Sequence, residues 1–381
     1  MKFIRHIIRF LLFFIAISIA LAYIFDVDYL LKGIRTIYLK GHTTAFLEDY
    51  QAFDNDTVRV SKEIPWPIHS QYNSVAPTQK LLQAHSEYQT VAYLIIQNDS
   101  IWYEQYYDGF DANSKTNSFS MAKSMVSGLL GKAIMDGYIE SLDQPLSDFF
   151  PQYATGLGAK TTVGDLSSMS SGLDWDESYY SPFSITTRAY FDDDLAKVML
   201  QLDIVEEPGV AFKYLSGSTQ LLAMVIEKAS GKKLADYFSE SFWQPLGAKN
   251  EALWQLDSKE HGLVKAYCCF ASNARDFARF GKLYKDFGKF NGQQLLDSTF
   301  VVKSITPRFD GAPYGYGFWL DHYQGKNLFA MRGHLGQLVI VIPEDNVIIV
   351  RLGHKIDKTQ ENRFSPHFWT FIEEAYSMME R

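Results

Sequence analysis

Ser120-Met121-Ala122-Lys123-Ser124-Met125-Val126-Ser127-Gly128-Leu129-Leu130-Gly131-Lys132-Ala133-Ile134-Met135-Asp136-Gly137 is the stretch on which the fold turns. Its apolar positions Met121, Met125, Leu129, Leu130 and Ile134 recur at helical spacing, and Gly137 supplies a C-terminal stop. A strand hairpin stands just upstream. Residues 91–97 are β-branched and apolar, Asn98-Asp99-Ser100 is turn chemistry, and 101–107 is strand-like again. If Ser120 opens the helix, its hydroxyl and N–H sit at the positive end of the helix dipole. Lys123, one turn on, then shares its face.

Downstream, residues 140–300 read as mainly helical with long loops. One helix is expected over 219–229, ending near Ser230-Gly231, and another over 274–287 with Phe277, Phe280 and Leu283 on one stripe. Strand signals return at 327–332, 337–342 and 347–352, with Pro343-Glu344-Asp345-Asn346 as the turn between the last two. An amphipathic helix over 368–379 closes the chain. The order predicts an α+β fold. Strands from both chain ends form one antiparallel sheet flanked by helices, with the mainly helical middle inserted as a second lobe. A cleft between two such lobes is a common place for a site.

At the other end, Lys2, Arg5 and Arg9 precede an uncharged run over 10–25 that Asp26 ends. That is the pattern of a membrane-targeting segment. Ala20-Leu21-Ala22 offers a signal-peptidase site, whereas Tyr23-Ile24-Phe25 extends the apolar run past it. A helix through the run spans roughly 24 Å, a little short of a hydrocarbon core. An uncleaved anchor and a removed signal both stay open. Either way the basic end stays cytoplasmic and the rest is exported, to the periplasmic face of the membrane or, after cleavage, to the periplasm or medium. Residues 26–77 lack a sustained period and read as linker and lead-in, with Pro65-Trp66-Pro67 marking extended chain. The organisation is thus 1–25 anchor or signal, 26–77 lead-in, and 78–381 one domain.

Charge and cysteines exclude several classes. The 36 Lys and Arg against 44 Asp and Glu leave −8, and no basic run follows the first residues, which argues against nucleic acid as partner. The nine histidines fall in no ligand pair, so no metal site is expected. Cys268 and Cys269 are adjacent, with Cα atoms about 3.8 Å apart across a trans peptide, below the usual disulfide range. They read as two buried apolar side chains.

Three short motifs carry chemistry. In Ser120-x-x-Lys123 the lysine can act as base only when burial or a second cation lowers its pKa. Ser230-x-x-Lys233 has the same spacing, but it follows a helix in Ser-Gly-Lys-Lys and reads as a helix-end turn. Tyr214-Leu215-Ser216 offers a phenol and a hydroxyl, framed by Glu207-Pro208-Gly209 and Gly217. Tyr72, Tyr179 and Tyr237 start the same pattern, so alone it would mark a core tyrosine. His334-Leu335-Gly336 stands just before the strand over 337–342, where Gly333 and Gly336 permit close approach of a ligand. The alternative there is a hairpin turn with a half-buried histidine.

In this order, the three motifs resemble the serine β-lactamase and penicillin-binding-protein superfamily, on its class C side, from about Thr90 onward. Met169-Ser170-Ser171-Gly172-Leu173 and Tyr314-Gly315-Tyr316-Gly317 strengthen the likeness. Within the superfamily, 171–177 and Ala266-Tyr267-Cys268-Cys269 look like the 6-aminohexanoate-dimer hydrolases and their carboxylesterase-like relatives. The resemblance implies a β-lactamase/transpeptidase-like fold. It implies Ser120 as the acylated nucleophile, Lys123 and Tyr214 as its proton partners, and Ser216 as a hydrogen-bonding neighbour. The N–H groups of Ser120 and Gln337 would form the oxyanion hole, with Gln337 directly after His334-x-Gly336, and Tyr179 would hold the substrate amide.

Two departures bear on substrate. β-Lactamases usually carry Lys-Thr-Gly where His334-Leu335-Gly336 stands, and Tyr-x-Asn in place of Tyr214-Leu215-Ser216. The replacements lean away from penicillins toward small amides or esters, cleaved without metal or organic cofactor. An envelope D-Ala-type peptidase, esterase or β-lactamase is the second reading. A catalytically idle, membrane-tethered wall-binding protein is a third, of another class.

Overall fold

The computed structural model describes residues 2–357 and 364–380; the ends of the expected N-terminal segment (residue 1) and of the expected domain (residue 381) lie outside the described residues. Its centre is a six-stranded antiparallel sheet. Strands Thr90–Gln97 and Ser100–Tyr106 form one edge, and Val347–Gly353, Gln337–Ile342, Lys326–Gly333 and Trp319–Tyr323 follow across it. Both faces are covered, so the strands read as unbroken apolar runs rather than alternating ones. Tyr93, Ile95, Ile340 and Ile349 pack under helices Gln79–Glu87 and Pro366–Met379, and the Tyr93 hydroxyl donates to Phe371 O at 2.7 Å. Leu94, Ile96, Val339 and Val350 face the other way, onto Phe277 and Phe280 of helix Ala274–Lys285. Thus strands from both chain ends share one sheet, and helices flank it.

The inserted lobe holds helices Ala122–Met135 and Ser216–Ser230, which pack on each other. It is less purely helical than the sequence suggests. Four short strands, Asn55–Val58, Ala252–Gln255, Phe270–Ser272 and Thr116–Asn117, form a second antiparallel sheet in it. Strands of two to four residues are too short to impose a visible period on the sequence.

Residues 26–77 are not a free linker. Helix Tyr29–Thr36 packs against helix Ile185–Phe191, strand Asn55–Val58 joins the second sheet, and Leu47, Asp49 and Val58 are fully buried. A segment that buries a carboxylate and supplies a strand belongs to the folded body. Ahead of it, helix Lys2–Ile24 lies outside the core, and its apolar stretch Phe3–Ile24 is long and apolar enough to cross a membrane.

Candidate active site

The chain enters the site through Thr116–Asn117 and then turns sharply. Phe119 adopts a left-handed φ of 47°, a conformation uncommon for an aromatic side chain. Asn117 holds the turn, with its Oδ1 accepting from Phe119 N at 2.9 Å. Ser120 then sits in a 3₁₀ turn, Phe119–Met121, that runs directly into helix Ala122–Met135. The serine is partly exposed, whereas Lys123 is 2% exposed.

Lys123 Nζ lies 2.9 Å from Ser120 Oγ and 2.7 Å from the Tyr267 carbonyl, to which it donates. It also lies 5.1 Å from the centre of the Tyr214 ring. Burial pulls the lysine pKa down to about 8, while the nearby Glu177 carboxylate opposes the shift. Near neutral pH a fraction of Lys123 is therefore the free amine. Tyr214 behaves oppositely. Burial and Glu177 push its pKa up, even though a hydrogen bond with Ser120 favours the phenolate. Tyr214 is thus a neutral phenol, packed on Trp319 and Tyr314.

Ser216 opens helix Ser216–Ser230. Its N–H donates to Glu177 Oε2 at 2.7 Å and its hydroxyl to Glu177 Oε1 at 2.5 Å. The carboxylate thereby caps the positive end of that helix. Tyr179 donates its hydroxyl to the same Oε1. Its ring stacks on His334 at 5.8 Å, and Phe119 meets that imidazole edge-on at 5.5 Å. Burial pulls the His334 pKa down to about 4, so the ring is neutral at pH 7. Glu177 is the residue the motif reading passed over as a role-bearing group. The acidic pair Asp176-Glu177, shortly before Tyr179, was the available signal.

The two glycines beside His334 each lie against protein atoms that a side chain would strike. A methyl at Gly333 would sit 2.1 Å from the Ser118 carbonyl oxygen, so this strand end presses against the nucleophile turn. Gly336, with φ of 81°, leaves room for the buried Arg351 guanidinium, which a methyl would meet at 2.5 Å. Arg351 Nη1 donates to the carbonyls of Leu335 and Gly336, both at 2.9 Å, and pins the His334–Gly336 turn. Gln337 is fully buried, and its side chain bonds His334 O and both backbone groups of Gly353. Cys268 and Cys269 are joined to each other in a disulfide, not left as two separate apolar side chains. Cys269 takes a left-handed φ of 71°, which lets the adjacent sulfurs meet.

Ser120, Tyr179, Ser216, Tyr267 and His334 share one cavity of about 310 Å³. A partly exposed hydroxyl, a buried amine within hydrogen-bond reach and a phenol bonded to the same hydroxyl form the arrangement of a serine acyl-transfer enzyme. The sequence and fold agree with this. The beta-lactamase family model matches residues 78–367, and the chain belongs to that family of serine hydrolases, which act on amide or ester bonds. Among curated relatives, the 6-aminohexanoate-dimer hydrolase of Paenarthrobacter ureafaciens is 24% identical over 286 residues, covering 69% of this chain and 72% of that protein. Solved structures share the fold. A candidate 6-aminohexanoate-dimer hydrolase from Bacillus anthracis superposes with a TM-score of 0.71 at 18% identity, over 92% of this chain and 93% of its own. The D-amino acid amidase of Ochrobactrum anthropi gives a TM-score of 0.60 at 16% identity, over 80% and 98%.

Proposed function

We propose that this chain hydrolyses small amides or esters through an acyl-enzyme on Ser120. The single observation that carries the reading is the 2.9 Å contact between Ser120 Oγ and the buried Lys123 amine, whose pKa is lowered to about 8. The neutral amine takes the hydroxyl proton as Oγ attacks the carbonyl carbon. Tyr214, a neutral phenol bonded to Ser120, then passes a proton to the departing amine or alcohol. Water adds to the acyl-enzyme by the reverse route and frees the acid.

The N–H groups of Ser120 and Gln337 are assigned to the oxyanion, supported by the pinned His334–Gly336 turn lying against the nucleophile turn. Ser216 and Tyr179, both held by Glu177, face the bound amide or ester. The names of two relatives, a 6-aminohexanoate-dimer hydrolase and a D-amino acid amidase, support the amide class. Helix Lys2–Ile24 is assigned as a membrane anchor that places the domain on the exported face, supported by its apolar length and basic start.

Intact-mass spectrometry after incubation with a panel of amides, esters and β-lactams tests the proposal. An acyl adduct on Ser120 with at least one chemotype is expected. Turnover of substrate by a protein that is never acylated would overturn the covalent route.

A further inference from the structure

The cavity above Ser120 is walled in part by what precedes the family domain. Leu30, Gly33 and Ile34 of helix Tyr29–Thr36, with Ile37 just after it, line it together with Phe183 and Phe191. Among the described residues lining it there is no Lys, Arg, Asp or Glu. A carboxylate-bearing or cationic substrate would therefore leave its charge without a partner in this wall, which is costly. The volume of about 310 Å³ is enough for a small organic group.

The same wall is continuous with the apolar N-terminal helix. Helix Lys2–Ile24 is followed after four residues by helix Tyr29–Thr36, and Val27 N donates to Ala22 O at 2.9 Å across the junction. Asp26 then pairs with Arg188 of helix Ile185–Phe191, other residues of which line the cavity, and this fastens the end of the apolar helix beside it. Around the mouth, Ile34 is 46% exposed, Tyr38 61%, Tyr180 76% and Phe183 73%. Exposed aromatics and aliphatics grouped beside such a helix are suited to the membrane interface, where rings with one polar end prefer to sit.

We infer that the cavity seats the hydrocarbon chain of a neutral, single-chain ester or amide drawn from the membrane surface, with its carbonyl at Ser120. The inference rests on the serine-hydrolase reading and deepens it by naming the substrate class. The chain lies along Ile34 and Phe183, and the polar leaving group remains toward Tyr179 and Glu177. Hydrolysis releases a fatty acid and an alcohol or amine.

The test uses the full chain in phosphatidylcholine vesicles and p-nitrophenyl esters from acetyl to octanoyl. Each buried methylene is worth at most about a fourfold gain, so kcat/KM should rise on the order of 10²-fold or more across the series. Ile34→Asp puts a solvated carboxylate into the wall and should cut the octanoyl-to-acetyl ratio at least about tenfold. Because it leaves the membrane helix intact, it separates seating in the wall from mere enrichment of long esters in the bilayer. In parallel, the neutral fluorophore N-phenyl-1-naphthylamine is bound to Ser120→Ala and displaced with methyl octanoate. A flat or falling chain-length profile with intact turnover overturns the inference and leaves the hydrolase reading standing. Loss of all ester turnover, with the fluorophore still bound and displaced, overturns the hydrolase reading and keeps the seat. A ratio unmoved by Ile34→Asp, or no displacement, overturns the seat.

Discussion

Asn117 donates its side-chain amide to the buried carboxylate of Asp49 at 2.8 Å, and its carbonyl oxygen accepts from the N–H that precedes Ser120 by one residue. Asp49 comes from the segment ahead of the family domain, yet it holds the turn that presents the nucleophile. The same carboxylate also accepts from Gln255 at 3.0 Å and from Tyr190 at 2.5 Å.

Asp49→Ala should therefore cost both stability and rate. It strands two buried donors, Asn117 and Gln255, and the part-buried Tyr190 hydroxyl, which is worth about 3 kcal/mol of folding free energy. The loosened Phe119 turn should lower kcat by about tenfold or more. Thermal unfolding and steady-state kinetics check both. An unchanged Tm and kcat would show that Asn117 alone fixes the turn.

The Lys123 pKa of about 8 sets a pH dependence. The base must be unprotonated in the free enzyme, so kcat/KM should rise with pH through about 8 and level off above it. Its stability linkage has the same direction. Because the folded pKa lies below the unfolded one, near 10.4, the unfolded chain binds more protons between the two values, and this group's contribution to stability grows with pH across that window. Lys123→Ala should lower turnover by about 10²-fold or more. A wild-type profile that is flat from pH 6 to 9 would remove Lys123 from the base role.

Glu177 works through its neighbours, holding Ser216 and Tyr179 and raising the pKa of Lys123. Glu177→Gln keeps the shape and removes the charge. The acidic limb of the kcat/KM profile should move to lower pH, and kcat should drop about tenfold as hydrogen bonds to the carboxylate weaken. A fall in kcat with the limb unmoved would reduce Glu177 to a purely structural role.

His334 is neutral at pH 7 and faces a cavity without charged walls. His334→Lys should shift preference toward carboxylate-bearing esters by about tenfold relative to neutral ones of equal length. Equal ratios in variant and wild type across a substrate panel would place position 334 outside substrate contact.

Much of this arrangement was legible in the sequence because it is carried by strong, local signals. Five of the six strands of the central sheet are runs long enough to stand out, and Ser120 with Lys123 needs only one helical turn to meet. The rest depends on contacts that leave no local trace. Glu177 reaches Ser216 across 39 positions from a loop with no period. Asp49 reaches Asn117 across 68, from a stretch whose helices and strand are eight residues or shorter. Helix Tyr29–Thr36 is amphipathic, but over two turns that pattern is too short to tell from chance. The Cys268–Cys269 bond depends on one left-handed residue, which the sequence does not announce.

The whole account reduces to whether Ser120 is the group that a carbonyl or phosphonyl electrophile finds. Labelling of the full chain with a fluorophosphonate, followed by peptide mapping, tests this most directly. The account predicts one adduct, on Ser120, that disappears in Ser120→Ala and forms faster as pH rises toward 9. Undiminished labelling of Ser120→Ala, or an adduct mapped to another residue, would contradict it.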